Sequence, residues 1–116
     1  MVEVHRVYEH EEVEGHKVLV DRLWPRGISK ATEPWDEWLK DVAPSNDLRK
    51  WYGHDVERWE EFVRRYRAEL AEPPTADAFD HLRSLDDDGD LVLLTATRDV
   101  EHSAARVLQQ ELAESS

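Results

Sequence analysis

Apolar and polar positions along the chain follow three rhythms. Residues 2–8 (Val-Glu-Val-His-Arg-Val-Tyr) alternate in part and predict a first strand. Residues 17–22 (Lys-Val-Leu-Val-Asp-Arg) and 91–94 (Leu-Val-Leu-Leu) have unbroken apolar centres, suited to strands buried on both faces. Elsewhere the spacing is helical. Pro34 opens a short predicted helix carrying Trp35, Trp38 and Leu39. Ser45 caps a second through Leu48 and Trp51, closed by Gly53. Asp55 starts the longest segment, with Val56, Trp59, Phe62, Val63, Tyr66 and Leu70 on one face, ended by Pro73-Pro74. Thr75 caps a helix with Phe79, Leu82 and Leu85, and Asp86-Asp87-Asp88-Gly89 is its following turn. Asp99 caps the last helix, with Ala104, Val107, Leu108 and Leu112 facing inward.

This order predicts a small α/β sandwich over residues 1–116, one domain with a short, mostly parallel central sheet and about five helices. The second and third strands are expected to lie parallel, joined by the helical excursion. The first two are separated by only eight residues, 9–16, which favours a hairpin over a parallel crossover.

Composition narrows the chemistry. The absence of cysteine removes disulfides, thiolate nucleophiles and cysteine metal sites. No apolar run approaches the roughly 20 residues that span a bilayer, so no membrane association and a cytoplasmic location are expected. The net charge of −12 disfavours nucleic acid as a partner, because phosphates would meet repulsion. Such acidity, with only four lysines (Lys17, Lys30, Lys40, Lys50), also fits adaptation to a salty cytoplasm. Against that background, local clusters of cations carry the information.

In a parallel sheet, ligands bind where loops leave the carboxyl ends of the strands. Here those loops are Asp21-Arg22-Leu23-Trp24-Pro25-Arg26-Gly27 and Thr95-Ala96-Thr97-Arg98-Asp99. They bring Arg22, Arg26 and Arg98 toward one edge, with hydroxyls from Thr95 and Thr97, and guanidinium forks suit phosphate or carboxylate. Each residue also has a plainer reading: Asp21–Arg22 as an ion pair, Asp99 as a helix cap, Trp24-Pro25 as packing over the sheet edge. His10 and His16, among Glu11, Glu12 and Glu14, match no metal motif, and no metal is expected. His54 and His102 are acid/base candidates whose plainer reading is surface or capping histidine. Neither a phosphate-binding glycine loop nor a dinucleotide fingerprint is present, and no cofactor is expected.

The run Val20-Asp21-Arg22-Leu23-Trp24-Pro25-Arg26-Gly27, then Ala43-Pro44-Ser45 with Leu48-Arg49, then Phe62 to Tyr66 with Glu69-Leu70, resembles the YeaO-like family. That is a branch of a prokaryotic domain-of-unknown-function family, and the likeness covers nearly the whole chain. The resemblance implies one α/β domain and no particular reaction. It marks Asp21, Arg22, Trp24, Pro25, Arg26, Gly27, Pro44, Ser45, Leu48, Arg49, the Arg98-Asp99 pair and His102. Distant members place cysteines at the positions of Thr95 and Ser103 and a histidine at that of Ala104, so their chemistry does not transfer.

Two functions from different classes follow. One is an enzyme acting on a small anionic metabolite, with Asp21 or His102 moving a proton, Arg22, Arg26, Arg49 and Arg98 as ligand-binding cations, and Trp24, Ser45, Thr95 and Asp99 completing the site. The other is a non-catalytic module whose Trp-rich helices hold an anionic ligand or a partner protein. The oligomeric state is not legible in the sequence.

Overall fold

The computed structural model describes residues 1–9 and 13–114. Its sheet has four strands, β1 (Val2–Arg6), β2 (His16–Leu19), β3 (Glu37–Trp38) and β4 (Leu91–Thr95), ordered β1-β4-β2-β3. All pairings are parallel, with His5 opposite Leu94, Val18 opposite Leu93, and Leu19 opposite Trp38. Four helices follow the same chain: α1 (Asn46–Tyr52), α2 (Trp59–Leu70), α3 (Thr75–Asp88) and α4 (Ala104–Glu114).

The central strands read as they do because both faces are covered. Val18, Val20, Leu91 and Leu93 pack with residues of all four helices. On the other face Leu19, Val92 and Leu94 meet Val7 and Trp35, with Trp24 and Trp38 against them. Alternate residues of one apolar run thus serve two separate cores. Helix packing follows the 3.6-residue period: Phe62, Tyr66 and Leu70 of α2 are buried in one stripe.

The parallel pairing of β2 with β4 is as expected, but the first two strands form no hairpin. Strand β4 lies between them, and both run the same way. Residues 7–15 therefore connect two parallel strands, with no helix among the described ones. At about 3.3 Å per residue, nine extended residues reach about 30 Å, enough to return along strands of four or five residues. The link expected over 9–16 falls partly on residues 10–12, the His10-Glu11-Glu12 cluster, which lie outside the described residues.

The helix expected from Pro34 is replaced by strand β3, giving four helices rather than five. Its tryptophans are drawn into tertiary packing, with Trp24 edge-on to Trp35 at 5.0 Å and to Trp38 at 5.5 Å. Tryptophan suits a strand well, and packing overrides an ambiguous three-residue spacing.

Three caps also differ from expectation. Pro74 occupies the cap position of α3, and Thr75 is its first residue. The three aspartates 86–88 continue that helix to Gly89, with Asp86 3.8 Å from the chain's ammonium terminus. Asp99 heads only a 3-10 turn, Val100–His102, while the Ser103 hydroxyl oxygen accepts from the Arg106 N–H at 3.3 Å and caps α4. Ser45 does cap α1, accepting from the Leu48 N–H at 3.1 Å, and Gly53 closes that helix in the left-handed conformation. Among the described residues, no helix is long and apolar enough to cross a membrane.

Candidate functional site

The carboxyl ends of β2 and β4 lie side by side, and Asp21 joins them. Its Oδ1 accepts from the Thr95 hydroxyl at 2.7 Å and its Oδ2 from the Ala96 N–H at 2.7 Å. The Thr95 oxygen in turn accepts from the Thr97 N–H at 3.1 Å. The Asp21 carbonyl accepts from the Trp38 indole at 2.7 Å. Burial pushes the Asp21 carboxyl above its ordinary range, outweighing the Ala96 and Thr95 hydrogen bonds and the charge of His54. Asp21 thus forms no ion pair with Arg22; it is a staple across two strand ends.

Above this staple opens a cleft of about 620 Å³. Among the described residues, Arg22, Arg26, Arg49 and Lys50 line it, with His54 and His102, against one carboxylate, that of Asp21. Arg22 is held by its backbone neighbours, donating from Nε to the Pro44 carbonyl at 3.1 Å and from Nη2 to the Ala43 carbonyl at 3.3 Å. Arg49 donates from Nη2 to the Asn46 side chain at 3.4 Å, while its Nε is buried without a hydrogen-bond partner.

The charges elsewhere are arranged differently. Arg58, Arg64, Arg65, Arg67, Arg83 and Arg106 each lie in an ion pair with a carboxylate. Among the described residues, Arg22, Arg26 and Arg49 have none. Arg6 also has none; it stacks on Tyr8 at 5.0 Å and donates to the Ala96 carbonyl at 3.5 Å, and both of those residues line the cleft. Arg98, exposed and away from the cleft, has none either, so that among the described residues three of the five unpaired guanidinium groups of this acidic chain line one cavity and a fourth, Arg6, borders it. Like charges gathered this way repel and are held in place by the fold.

Several expected site residues are placed elsewhere. Arg98 is exposed and outside the cleft lining, so it does not join Arg22 and Arg26. Ser45 faces α2, its N–H and hydroxyl donating to the two oxygens of Glu69 at 2.8 and 2.6 Å. Thr95 is buried behind Asp21, and Thr97 lines the cleft instead. Asp99 lies outside the lining but accepts from Nδ1 of His102 at 2.8 Å, orienting that ring edge-on to Trp59 at 5.2 Å. Trp24 lines the wall beside Pro25.

Sequence reasoning missed Lys50 and Tyr8, and named His54 as an acid/base candidate without placing it in this cleft. Arg49 and Lys50 sit in the last turn of α1, where cations are ordinarily explained by the helix dipole. His54 follows Gly53 with a φ of 58°, a left-handed backbone costly for a bulky side chain.

The chain matches, over residues 1–116, the family model described as the inactive DUF488-N3 subclade. It belongs to the DUF488 family. An uncharacterized protein of Mycobacterium tuberculosis, Rv3073c, is 46% identical over 112 residues, which is 96% of this chain and 92% of the relative. An uncharacterized protein of Mycobacterium bovis, Mb3100c, matches to the same extent. The uncharacterized protein YeaO of Escherichia coli is 44% identical over 72 residues, 61% of this chain and 63% of its own. No solved structure matches significantly. The YeaO-like resemblance read from the Asp-Arg-Leu-Trp-Pro-Arg-Gly run is thereby shown.

Proposed function

We propose that this chain binds a small anion, bearing phosphate or carboxylate, at the carboxyl ends of β2 and β4 and does not transform it. The observation that carries the reading is the gathering of Arg22, Arg26, Arg49 and Lys50 around one cavity without carboxylate partners among the described residues. Arginine forks and a lysine ammonium are the groups that hold phosphate and carboxylate oxygens.

The rest of the site supports binding over turnover. Both oxygens of Asp21 are occupied by donors, so it is poorly placed to accept a substrate proton. Ser45 is tied to Glu69 away from the cleft, and the sequence has no cysteine. The word "inactive" in the family description agrees with that arrangement. A Trp-built protein-docking face has less support. Trp35 is buried, Trp59 stacks on Phe62 at 5.7 Å, and Trp51 lies beneath Arg58 and Arg65 at 5.2 and 4.1 Å.

A thermal-shift series with orthophosphate, sugar phosphates, nucleotides and dicarboxylates tests the reading, because a ligand of the native state raises the melting point by mass action. At least one anion is expected to stabilise the chain, with the shift lost in Arg26→Ala and Arg49→Ala and with the ligand recovered chemically unchanged. Stabilisation that survives both substitutions, or none at millimolar ligand, overturns it.

A further inference from the structure

We infer that the anion is a phosphomonoester joined to a flat, largely apolar body, of about the size of a nucleoside monophosphate. This rests on the anion-binding reading above and specifies its ligand class.

Charge decides between the two anion types. A single carboxylate brings one negative charge, which together with Asp21 leaves two of the four cations Arg22, Arg26, Arg49 and Lys50 unneutralised. A phosphomonoester carries about −1.5 to −2 at pH 7 and three strong acceptor oxygens. It offers a partner to several guanidinium donors at once, the buried, unpartnered Nε of Arg49 among them.

Size and lining decide against inorganic phosphate. The cleft, about 620 Å³, is several times larger than that ion and falls in the usual range for organic ligands. Part of its rim is apolar. Among the described residues the exposed large apolar side chains are Met1, Tyr8, Leu23 and Val56, and two of them, Tyr8 (43% exposed) and Leu23 (58%), border this cleft beside Trp24 and Pro25. Tyr8 is fixed at both ends: its hydroxyl donates to the Arg26 carbonyl at 2.8 Å, and the Arg6 guanidinium lies 5.0 Å from its ring centroid. A preset aromatic ring beside a cluster of cations is a stacking platform next to a phosphate site. The overall charge of −12 repels a nucleic-acid polymer, whereas a mononucleotide fits within the local positive field.

Calorimetric titration of the full chain with orthophosphate, ribose 5-phosphate, a dicarboxylate, the four common nucleoside monophosphates and their nucleosides tests this. At least one nucleotide is expected to bind about 10-fold or more tightly than ribose 5-phosphate, a gain within the range of base–aromatic stacking. Leu23→Ser, at an exposed position, should bring the nucleotide toward ribose 5-phosphate while leaving the latter unchanged, and Tyr8→Ala, which also removes the bond to the Arg26 carbonyl, should weaken the nucleotide more than ribose 5-phosphate. Arg49→Ala should weaken both. Equal affinity for ribose 5-phosphate and every nucleotide, or tighter binding of the dicarboxylate, overturns this inference and leaves the anion reading standing. Binding of none of the anions overturns both.

Discussion

Replacing Thr95 with valine keeps the shape of a buried residue and removes two hydrogen bonds. The hydroxyl donates to Asp21 Oδ1 at 2.7 Å and accepts from the Thr97 N–H at 3.1 Å, at a position 1% exposed. A bond to a charged group contributes about 1.5–3 kcal/mol and a neutral one about 0.5–1.5 kcal/mol. The extra methyl recovers part of that, so Thr95→Val should destabilise the fold by about 2–4 kcal/mol at pH 7. The pH dependence carries a second check. Asp21 has a raised folded-state value, so stability falls as pH rises from its ordinary 3.8 through the folded value. Valine removes a donor to the ionised form and raises the folded value further, widening that window. The Thr97 bond is lost at every pH, whereas the part owed to the ionised carboxylate is absent near pH 3.5, where Asp21 is protonated, so the cost is smaller there and grows as the pH rises through the folded value. Urea denaturation of both proteins at the two pH values measures this. A cost under about 1 kcal/mol at pH 7, or one equal at both pH values, refutes the role of Asp21 as an ionised staple between β2 and β4.

Other parts of the structure give sharper local expectations. Ser45→Ala removes the cap of α1 and the hydroxyl donor to Glu69, and urea denaturation should show a loss of about 1–2 kcal/mol; a loss within error would mean that neither contact matters. Gly15→Ala places a Cβ 3.0 Å from the Asp90 carbonyl at a φ of +133°, and should cost about 1–3 kcal/mol; a neutral result in the same assay would contradict that backbone. Burial alone would raise the Glu37 carboxyl, but hydrogen bonds from His16 at 2.9 Å and His81 at 3.0 Å hold it below its ordinary 4.5. That contribution is present above 4.5 and lost as pH falls through the lowered folded value, so His81→Ala should cost about 0.2–1 kcal/mol at neutral pH and nothing in acid; a pH-independent cost by thermal melting would refute the linkage.

The sheet core was legible because Leu91–Leu94 of β4 and the apolar centre of β2 are buried on both faces and form unbroken apolar runs. The position of β1 was not. Its partner is 89 residues away, and the short link to β2 mimics a hairpin although nine extended residues suffice for a parallel return. Trp35 and Trp38 misled in another way, since a spacing of three fits a helix and an edge strand alike until Trp24 packs between them. At the site, Asp21, Arg22, Trp24, Arg26, Arg49 and His102 were found from loop position and family resemblance, and all line one cleft. Lys50 was hidden because a cation in a last helical turn already has an explanation, and Tyr8 because its partners, Arg6 and Arg26, meet it only in the fold. Arg98 was misplaced for the converse reason: adjacency to Thr97 in sequence does not carry its side chain into the cavity that Thr97 lines.

Titration of isotope-labelled protein with orthophosphate, followed by amide and arginine side-chain NMR signals, reads directly whether the cleft cations hold a phosphate group. Saturable shifts at Arg22, Arg49, Lys50 and Ala96, with Arg98 and the acidic end of α3 unmoved, are the expected result. Shifts that track ionic strength across the whole surface, or that centre on Arg98, would show that these cations are not an anion site.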